Sequence, residues 1–434
     1  MTKKKIAKAG TADAHGAPLG ADEIRGAKAH YGYPSQEPFH VPDEARAEWA
    51  QIPPAGAAAE ARWRAGFEAY RAAFPELAAE FERTLARELP EGWEETIPDL
   101  SNTEAGGAAT AKAAATRGVS GKVLNALATR VPELVGGSAD LGPSNKTDLD
   151  GADSLLPATP GGRLVHFGVR EHAMGAILNG IALHGRTRVF GGTFLIFSDY
   201  MRPSVRLAAL MNVPVTYVWT HDSVALGDDG PTHQPVEQLA SLRAIPGLSV
   251  VRPADANETA HVWKTVLERR EPAGIALTRQ NIPVFERGAD TASGDELAAA
   301  HHASKGAYVL AEAANGEPDV ILIATGSEVS VALEARSQLA AEGIRARVVS
   351  APCLEWFEQQ PAEYRESVLP RAMTARVSIE AGIALTWHRY IGDRGRAVSI
   401  EHFGASADYQ TLFREFGITA EATVAAARES ISAS

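Results

Sequence analysis

Between about residues 110 and 284 short apolar runs alternate with helical patterns, and this alternation constrains the chain more than any other feature. LVGGSAD, RLVHFGV, TRVFGGTF, VPVTYVWTHD, LSVVRPAD and GIALTRQN read as strands, several ending in Gly, Ser, Asp or His. Apolar strands separated by helices require right-handed crossovers, hence a mostly parallel sheet covered on both faces. Ligands bind such sheets beyond the carboxyl ends of the strands, so the polar residues found there are the candidates. A second block follows to the C-terminus, with DVILIATGS, IRARVVSAP, TARVSIEAG and RAVSIEHFG as strands and EVSVALEARSQLAAEG as an amphipathic helix. The expected fold class is α/β. The ATGSE turn lacks the GxGxxG spacing of a dinucleotide loop and is read as a plain strand-to-helix turn.

Ahead of these blocks, residues 1–41 are polar and rich in Gly and Pro, which predicts loop with one short helix over 22–30. Within 42–109, Trp63, Phe67, Tyr70 and Phe74 recur every three or four residues, the stripe of amphipathic helices interrupted at Pro53-Pro54 and at Pro75. This stretch is expected to be a helical linker laid across a neighbouring domain. The polar stretch 287–302 is the expected boundary between the α/β blocks. Its adjacent His301 and His302 are read as solvated linker, because no further metal ligand lies at a fitting spacing.

The 434 residues allow about three domains at roughly 150 residues each. Fifty-four acidic side chains against 42 Lys and Arg give a formal charge of −12, so the surface as a whole repels polyanions and no nucleic acid partner is expected. An anionic ligand must therefore meet a local positive pocket. No apolar run reaches the ~18 residues of a membrane span. One cysteine, Cys353, cannot form an internal disulfide, and the basic start MTKKKIAKAG is not followed by an apolar signal core. Both point to a cytoplasmic location.

The densest polar constellation is THDSVALGDDGPTHQPVEQ, residues 220–238, where His221, Asp222, Asp228, Asp229 and His233 share one Gly- and Pro-rich loop. Two histidines and an acid at strand ends can do acid/base work near neutral pH. Glu171 opens a helix rich in apolar and small residues that is expected to be buried, and a carboxylate there needs a partner or a shifted pKa. Phe194, Phe197 and Tyr200 fall at i, i+3 and i+6, one stripe of a helix. Arg117, Ser144 and Arg279 sit at element ends in distant segments, and singly each reads as a surface residue or cap.

In order, HGAPLG, GGSADLGPSN, HFGVREHAM, TFLIFSDYMR, THDSVALGDDGPTHQPVEQLASLR and LTRQN resemble the pyrimidine-binding half of the transketolases, thiamine diphosphate enzymes. ATGSEV, ESVLPRAMTARVSIEAG and EHFG resemble their C-terminal domain. The resemblance runs from about Gly10 through nearly the whole chain. It implies a mostly parallel pyrimidine-binding domain over 110–290 and a smaller α/β C-terminal domain over 303–434. Glu171 would meet the ring nitrogen of the aminopyrimidine, favouring the imino tautomer that takes a proton from the thiazolium carbon. Phe194, Phe197 and Tyr200 would surround that ring, with Asp140 near the cofactor at a dimer interface. The resemblance further assigns Arg117, Ser144, His221 and Arg279 to the phosphate of a sugar substrate. To Asp229 it gives a substrate hydroxyl, to His233 proton transfer, and to His15 a place beside the substrate. The reaction implied is transfer of a two-carbon ketol unit between sugar phosphates, in the pentose phosphate pathway, by a dimer.

The family binds the diphosphate and a divalent ion, Mg²⁺ or Ca²⁺, through a GDG motif and a later asparagine pair. GDDG at 227–230 belongs to the histidine loop instead, and no such pair follows it. The expectation is accordingly a truncated or split enzyme that lacks the diphosphate-binding domain apart from a tail over 1–41. Such a chain would hold only the pyrimidine part of the cofactor, supply no metal ligand, be inactive alone, and work as a heteromer with a chain carrying the missing domain. A related thiamine enzyme such as a deoxyxylulose-phosphate synthase, and a catalytically silent scaffold or binding module, are the alternatives. Arg117 and Arg279 together with HQPVEQ favour the transketolase reading.

Overall fold

Proline opens the N-terminal helices rather than breaking them. In the computed structural model, which describes residues 6–98, 100, 113–293, 296–314 and 316–434, the chain divides into two units, residues 1–82 and 83–434. The first holds α1 (Ala21–His30), α2 (Asp43–Trp49), α3 (Ile52–Ala73) and most of α4 (Pro75–Leu85). Pro53 and Pro54 lie in the first turn of α3 and Pro75 begins α4, where a missing N–H leaves no helical hydrogen bond unmade. The aromatic stripe forms as the spacing predicts: Trp63 stacks on Phe67 at 5.4 Å, Tyr70 lies 5.3 Å from Phe74, and Phe81 of α4 closes on Phe67 at 5.1 Å.

The second unit contains the six expected strands as one sheet: β1 (Leu134–Ser138), β2 (Leu164–His166), β3 (Arg188–Phe194), β4 (Val215–Thr220), β5 (Ser249–Val251) and β6 (Ala273–Leu277). Their order is β2-β1-β3-β4-β6-β5 and every pairing is parallel. Helices α5 (Thr116–Ala128) and α8 (Ala256–Arg269) cover one face, and α6 (Glu171–His184) and α7 (Ser198–Met211) the other. All positions of β4 and β6 are therefore buried, which is why those strands read as unbroken apolar runs. The GG of β1 reflects close approach: a Cβ on Gly137 would fall 1.9 Å from the carbonyl oxygen of Val165.

The C-terminal sheet contains β7 (Tyr308–Ala311), β8 (Val320–Ala324), β9 (Ala346–Ser350), β10 (Arg376–Ile379) and β11 (Arg396–Val398) in the order β7-β9-β8-β10-β11. Four of these were expected from the sequence. The unexpected β7 is an edge strand and, among the described residues, the only antiparallel member of this sheet; it is only four residues long. Helices α9 (Glu328–Ala341) and α10 (Ala420–Ala433) pack on this sheet.

Charge, not only apolar surface, joins the two sheets. Arg252, 0% exposed, donates from Nε to Asp222 Oδ2 at 2.8 Å and grips Glu328 with both terminal nitrogens. The same guanidinium donates to the Thr325 carbonyl at 3.1 Å and hydroxyl at 3.0 Å, so the ATGSE turn encloses an arginine. Beside it Arg243 makes a bidentate pair with Glu380, both bonds 2.7 Å, and Glu380 also accepts from Thr325 and from Trp387 Nε1. Burial pushes the Glu380 carboxyl up, but Arg243 and these donors outweigh it and hold it at about 2. The 287–302 stretch is also less solvated than expected, because the buried Arg287 pairs with Asp255 at 3.1 Å and Glu258 at 3.5 Å.

Candidate active site

Every central strand of the first sheet ends in one of the candidate segments. β1 runs into Asp140 and Ser144, β3 into Phe197, β4 into His221, and β6 into Arg279. His221 adopts a left-handed backbone conformation (φ 61°) as the chain leaves β4, and its ring stacks on Phe194 with centroids 3.6 Å apart. Phe197 stacks on Phe194 at 5.6 Å, and His233 meets Phe197 edge-on at 5.5 Å. The sequence stripe proves to be three successive element ends rather than one helix face: Phe194 closes β3, Phe197 closes the 3-10 turn Leu195–Phe197, and Tyr200 lies in α7. Tyr200 lies 5.9 Å from Phe197 and is 67% exposed.

Thr220 Oγ1 donates to Asn145 Oδ1 at 2.8 Å and lies 2.8 Å from His221 Nδ1. With its proton directed to Asn145, the hydroxyl accepts from Nδ1–H, which leaves Nε2 of His221 as the acceptor nitrogen. The imidazole is 3% exposed. Burial, then repulsion from Arg117, Arg279 and His233, pushes its pKa down to about 3. His221 is thus a neutral hydrogen-bonding group across the physiological range; the proton traffic that its loop suggested does not suit it.

Arg117 and Arg279 are placed by a clip that the sequence reading missed. Thr116 N–H donates to Thr278 Oγ1 at 3.0 Å and Thr278 N–H donates to Thr116 Oγ1 at 2.8 Å, locking the start of α5 to the end of β6. The next residue on each side is an arginine, so a repeated Thr-Arg pair was the available signal. Arg117 donates to the Ser144 carbonyl at 2.8 Å, and burial together with the nearby Arg279 lowers its pKa. Two guanidiniums and a neutral imidazole, at the ends of β4 and β6 and the start of α5, concentrate positive charge locally on an acidic chain.

The remaining candidates are more dispersed. Glu171 is half-buried at the N-terminus of α6, and its carboxylate has no hydrogen bond or ion pair among the described residues. The expectation of a buried helix fails, since Ala173, Ala176, Ile177, Gly180 and Leu183 are exposed along one side of α6. Asp140 is exposed with φ 62°, and Asp229 is exposed on the histidine loop. His15 lies in the first unit, exposed after the short turn Ala12–Ala14. Gln234, from HQPVEQ, anchors the loop by donating to the carbonyls of Gly227 at 3.0 Å and Ala405 at 2.9 Å, and so gives EHFG and the residues after it a role beneath the loop.

Family models match in three places: "Transketolase, thiamine diphosphate binding domain" over residues 3–90, "Transketolase, pyrimidine binding domain" over 112–284, and "Transketolase-like TK C-terminal domain" over 306–419. The chain is 53% identical over 437 residues to the transketolase of Mycobacterium tuberculosis, covering 97% of this chain and 60% of that protein. It superposes on a transketolase from Leishmania mexicana with a TM-score of 0.86 at 40% identity, over 96% of this chain and 59% of that one. It superposes equally, at 0.86 and 40% identity, on a Pichia stipitis transketolase in complex with sedoheptulose-7-phosphate, over 96% of this chain and 60% of that one. The chain spans about 60% of the length of the curated relatives it matches.

The match over residues 3–90 corrects the expectation that the diphosphate-binding domain is lacking, and it removes the support for a chain inactive until a separate domain chain joins it. The error has a physical origin. A GDG motif and an asparagine pair report only the loops that touch diphosphate and metal, whereas helices such as α1–α4 belong to the same domain without carrying any motif.

The low pKa of His221 makes a prediction for stability. Above about 6.5 neither the folded nor the unfolded imidazole is charged and His221 has no effect. As pH falls from about 6.5 towards 3 the unfolded chain takes up a proton that the folded chain refuses, and stability drops by up to ~1.4 kcal/mol per pH unit from this group. Urea unfolding of the wild type should therefore weaken more steeply through that window than unfolding of His221→Gln. Equal pH slopes would show that the imidazole is not held neutral.

Proposed function

We propose that this chain, a member of the transketolase family, acts in the transfer of a two-carbon ketol unit between sugar phosphates, with Arg117, Arg279 and His221 receiving the substrate phosphate. The observation that carries the reading is the clip between Thr116 and Thr278, which fixes two arginines side by side at the strand ends next to a neutral imidazole. Arginine's planar fork suits phosphate oxygens bidentately. An accepting Nε2 on His221 suits a phosphate monoanion or a sugar hydroxyl, each of which can donate. The neighbouring main-chain carbonyl of Ser144 keeps Arg117 in place. Asp229 and His233, on the loop above, are assigned to a substrate hydroxyl and to proton transfer.

Thiamine diphosphate, when bound, supplies the carbanion stabilisation that ketol transfer requires. The chain's residues fit its pyrimidine ring: Phe194 and Phe197 present stacked aromatic faces, and Glu171 keeps a carboxylate without a protein partner at a helix N-terminus. Glu171 is assigned to hold a proton at the ring nitrogen. Tyr200 flanks the aromatic pair, and Asp140 is assigned to the cofactor's surroundings.

A second copy of the chain is the proposed partner. Beside the exposed side of α6, α7 exposes Tyr200 and, two turns on, Leu207, Leu210 and Met211. Soluble monomers seldom leave so continuous an apolar face uncovered, and two-fold pairing is the commonest way to cover one. Sedimentation at micromolar concentration is expected to give a species twice the 46.0 kDa chain, which Leu207→Glu with Leu210→Glu converts to monomer. A wild-type chain that stays at 46.0 kDa whatever its concentration contradicts the pairing.

The phosphate assignment is tested by substrate discrimination. Arg279→Ala should weaken binding of a ketose phosphate by the ~1.5–3 kcal/mol of a charge-assisted hydrogen bond and leave the unphosphorylated sugar unaffected. Glu171→Gln should leave sugar phosphate binding intact and slow ketol transfer ~10²–10⁴-fold. Equal losses for both sugars in Arg279→Ala would make that arginine structural, and full transfer by Glu171→Gln would remove the carboxylate from the chemistry.

A further inference from the structure

The segment joining the two sheets carries a donor cluster that ketol transfer does not use. His301 and His302 are adjacent on the 3-10 helix Ala300–Lys305, and Asp290 follows the short strand Arg287–Ala289. That strand pairs with Leu297–Ala298, which folds the chain back and returns Asp290 to the histidines. The sequence alone offered no third ligand at a suitable spacing; the fold supplies one. Asp290 Oδ1 lies 3.3 Å from Nε2 of His301 and 3.7 Å from Nε2 of His302, and one ligand atom from each residue falls within 4.8 Å of the others. Donors around a tetrahedral ion with bonds of ~2.0–2.1 Å stand ~3.3–3.4 Å apart. Asp290 Oδ1 already stands near that separation from each imidazole nitrogen.

We propose that Asp290, His301 and His302 form a binding site for a divalent transition-metal ion of the zinc class. Two imidazole nitrogens and one carboxylate oxygen are the donors that Zn²⁺ and Co²⁺ favour, whereas Mg²⁺ and Ca²⁺ take shells of oxygen. The site has room on both sides. His301 lines a cavity of about 490 Å³, and Asp290 and His302 line another of about 270 Å³. Both give solvent and an ion access to the cluster, and water can complete the coordination shell. Without the ion, His302 Nε2 lies 2.5 Å from the Asp290 carbonyl oxygen and donates to it. Binding replaces that contact with a bond from Nε2 to the ion, the ring's proton moving to Nδ1. An ion held here ties residue 290 to residues 301 and 302 and closes the connector between the two sheets into a loop.

Titration of the full chain with Co²⁺ tests the proposal, because a Co²⁺ ion held by protein ligands in a four- or five-coordinate site absorbs visibly and the aqueous ion barely does. One absorbing Co²⁺ per chain is expected, displaced by Zn²⁺ and not by excess Mg²⁺ or Ca²⁺. His301→Ala with His302→Ala should weaken binding at least ~10-fold, since even loss of a partner outside the ligand shell costs ~10–100-fold. Asp290 is exposed, so Asp290→Asn gives the same reading with the fold intact should the histidine variant misfold. A wild-type chain that develops no absorption, or variants that bind Co²⁺ as tightly as the wild type, overturns the site.

Discussion

A fully buried arginine fastens the candidate active-site loop to the C-terminal sheet. Arg252 leaves β5 and reaches Asp222, the residue after His221, on one side and Glu328, the first residue of α9, on the other. Burial opposes its charge, but Glu328 and Asp222 outweigh that and raise its pKa, so it remains a cation in the interior. A buried ion pair contributes little net stability over apolar packing, yet breaking one side of it costs ~3–5 kcal/mol because the other charge is left uncompensated. Such an arrangement works as a latch: the two sheets pack correctly with all three groups in place or pack badly.

The site inherits its geometry from that latch. His221 stands between a latched aspartate and the Thr220–Asn145 hydrogen bond, which allows it to hold a left-handed backbone and stack on Phe194. Farther along the loop, Gln234 binds the Ala405 carbonyl, and a Cβ on Gly230 would fall 2.4 Å from Ser406 Oγ. The C-terminal α/β block, through residues beyond its last strand, therefore shapes a site to which it contributes none of the assigned residues. Charge is partitioned as well: the carboxylates of the latch lie beneath the loop, and Arg117 and Arg279 stand near each other without acid partners among the described residues.

How much of this was legible follows from what each signal reports. The alternation of apolar runs and helices located all six strands of the first sheet, because a strand covered on both faces must be apolar at every position. Periodicity could not separate Phe194, Phe197 and Tyr200 onto three elements, since a strand end, a 3-10 turn and a helix start can mimic a single stripe. Nor could it reveal Thr116 with Thr278, Arg252 with Glu328, or Asp290 with His301, which are pairs that only the fold brings together. Motif reading named the residues of the proposed phosphate site through their resemblance to the transketolases but judged a whole domain by two short loop motifs, and that domain's helices matched where the motifs did not.

Hydrogen exchange on Arg252→Met compared with the wild type addresses the latch most directly. Methionine fills much of the volume and removes the cation, so the core can stay packed while Asp222 and Glu328 lose their partner. The account predicts that amides of residues 222–234 exchange faster in the variant while β3 and β4 keep their wild-type protection. Unchanged exchange across 222–234 would contradict it and show that the loop is held by its own packing.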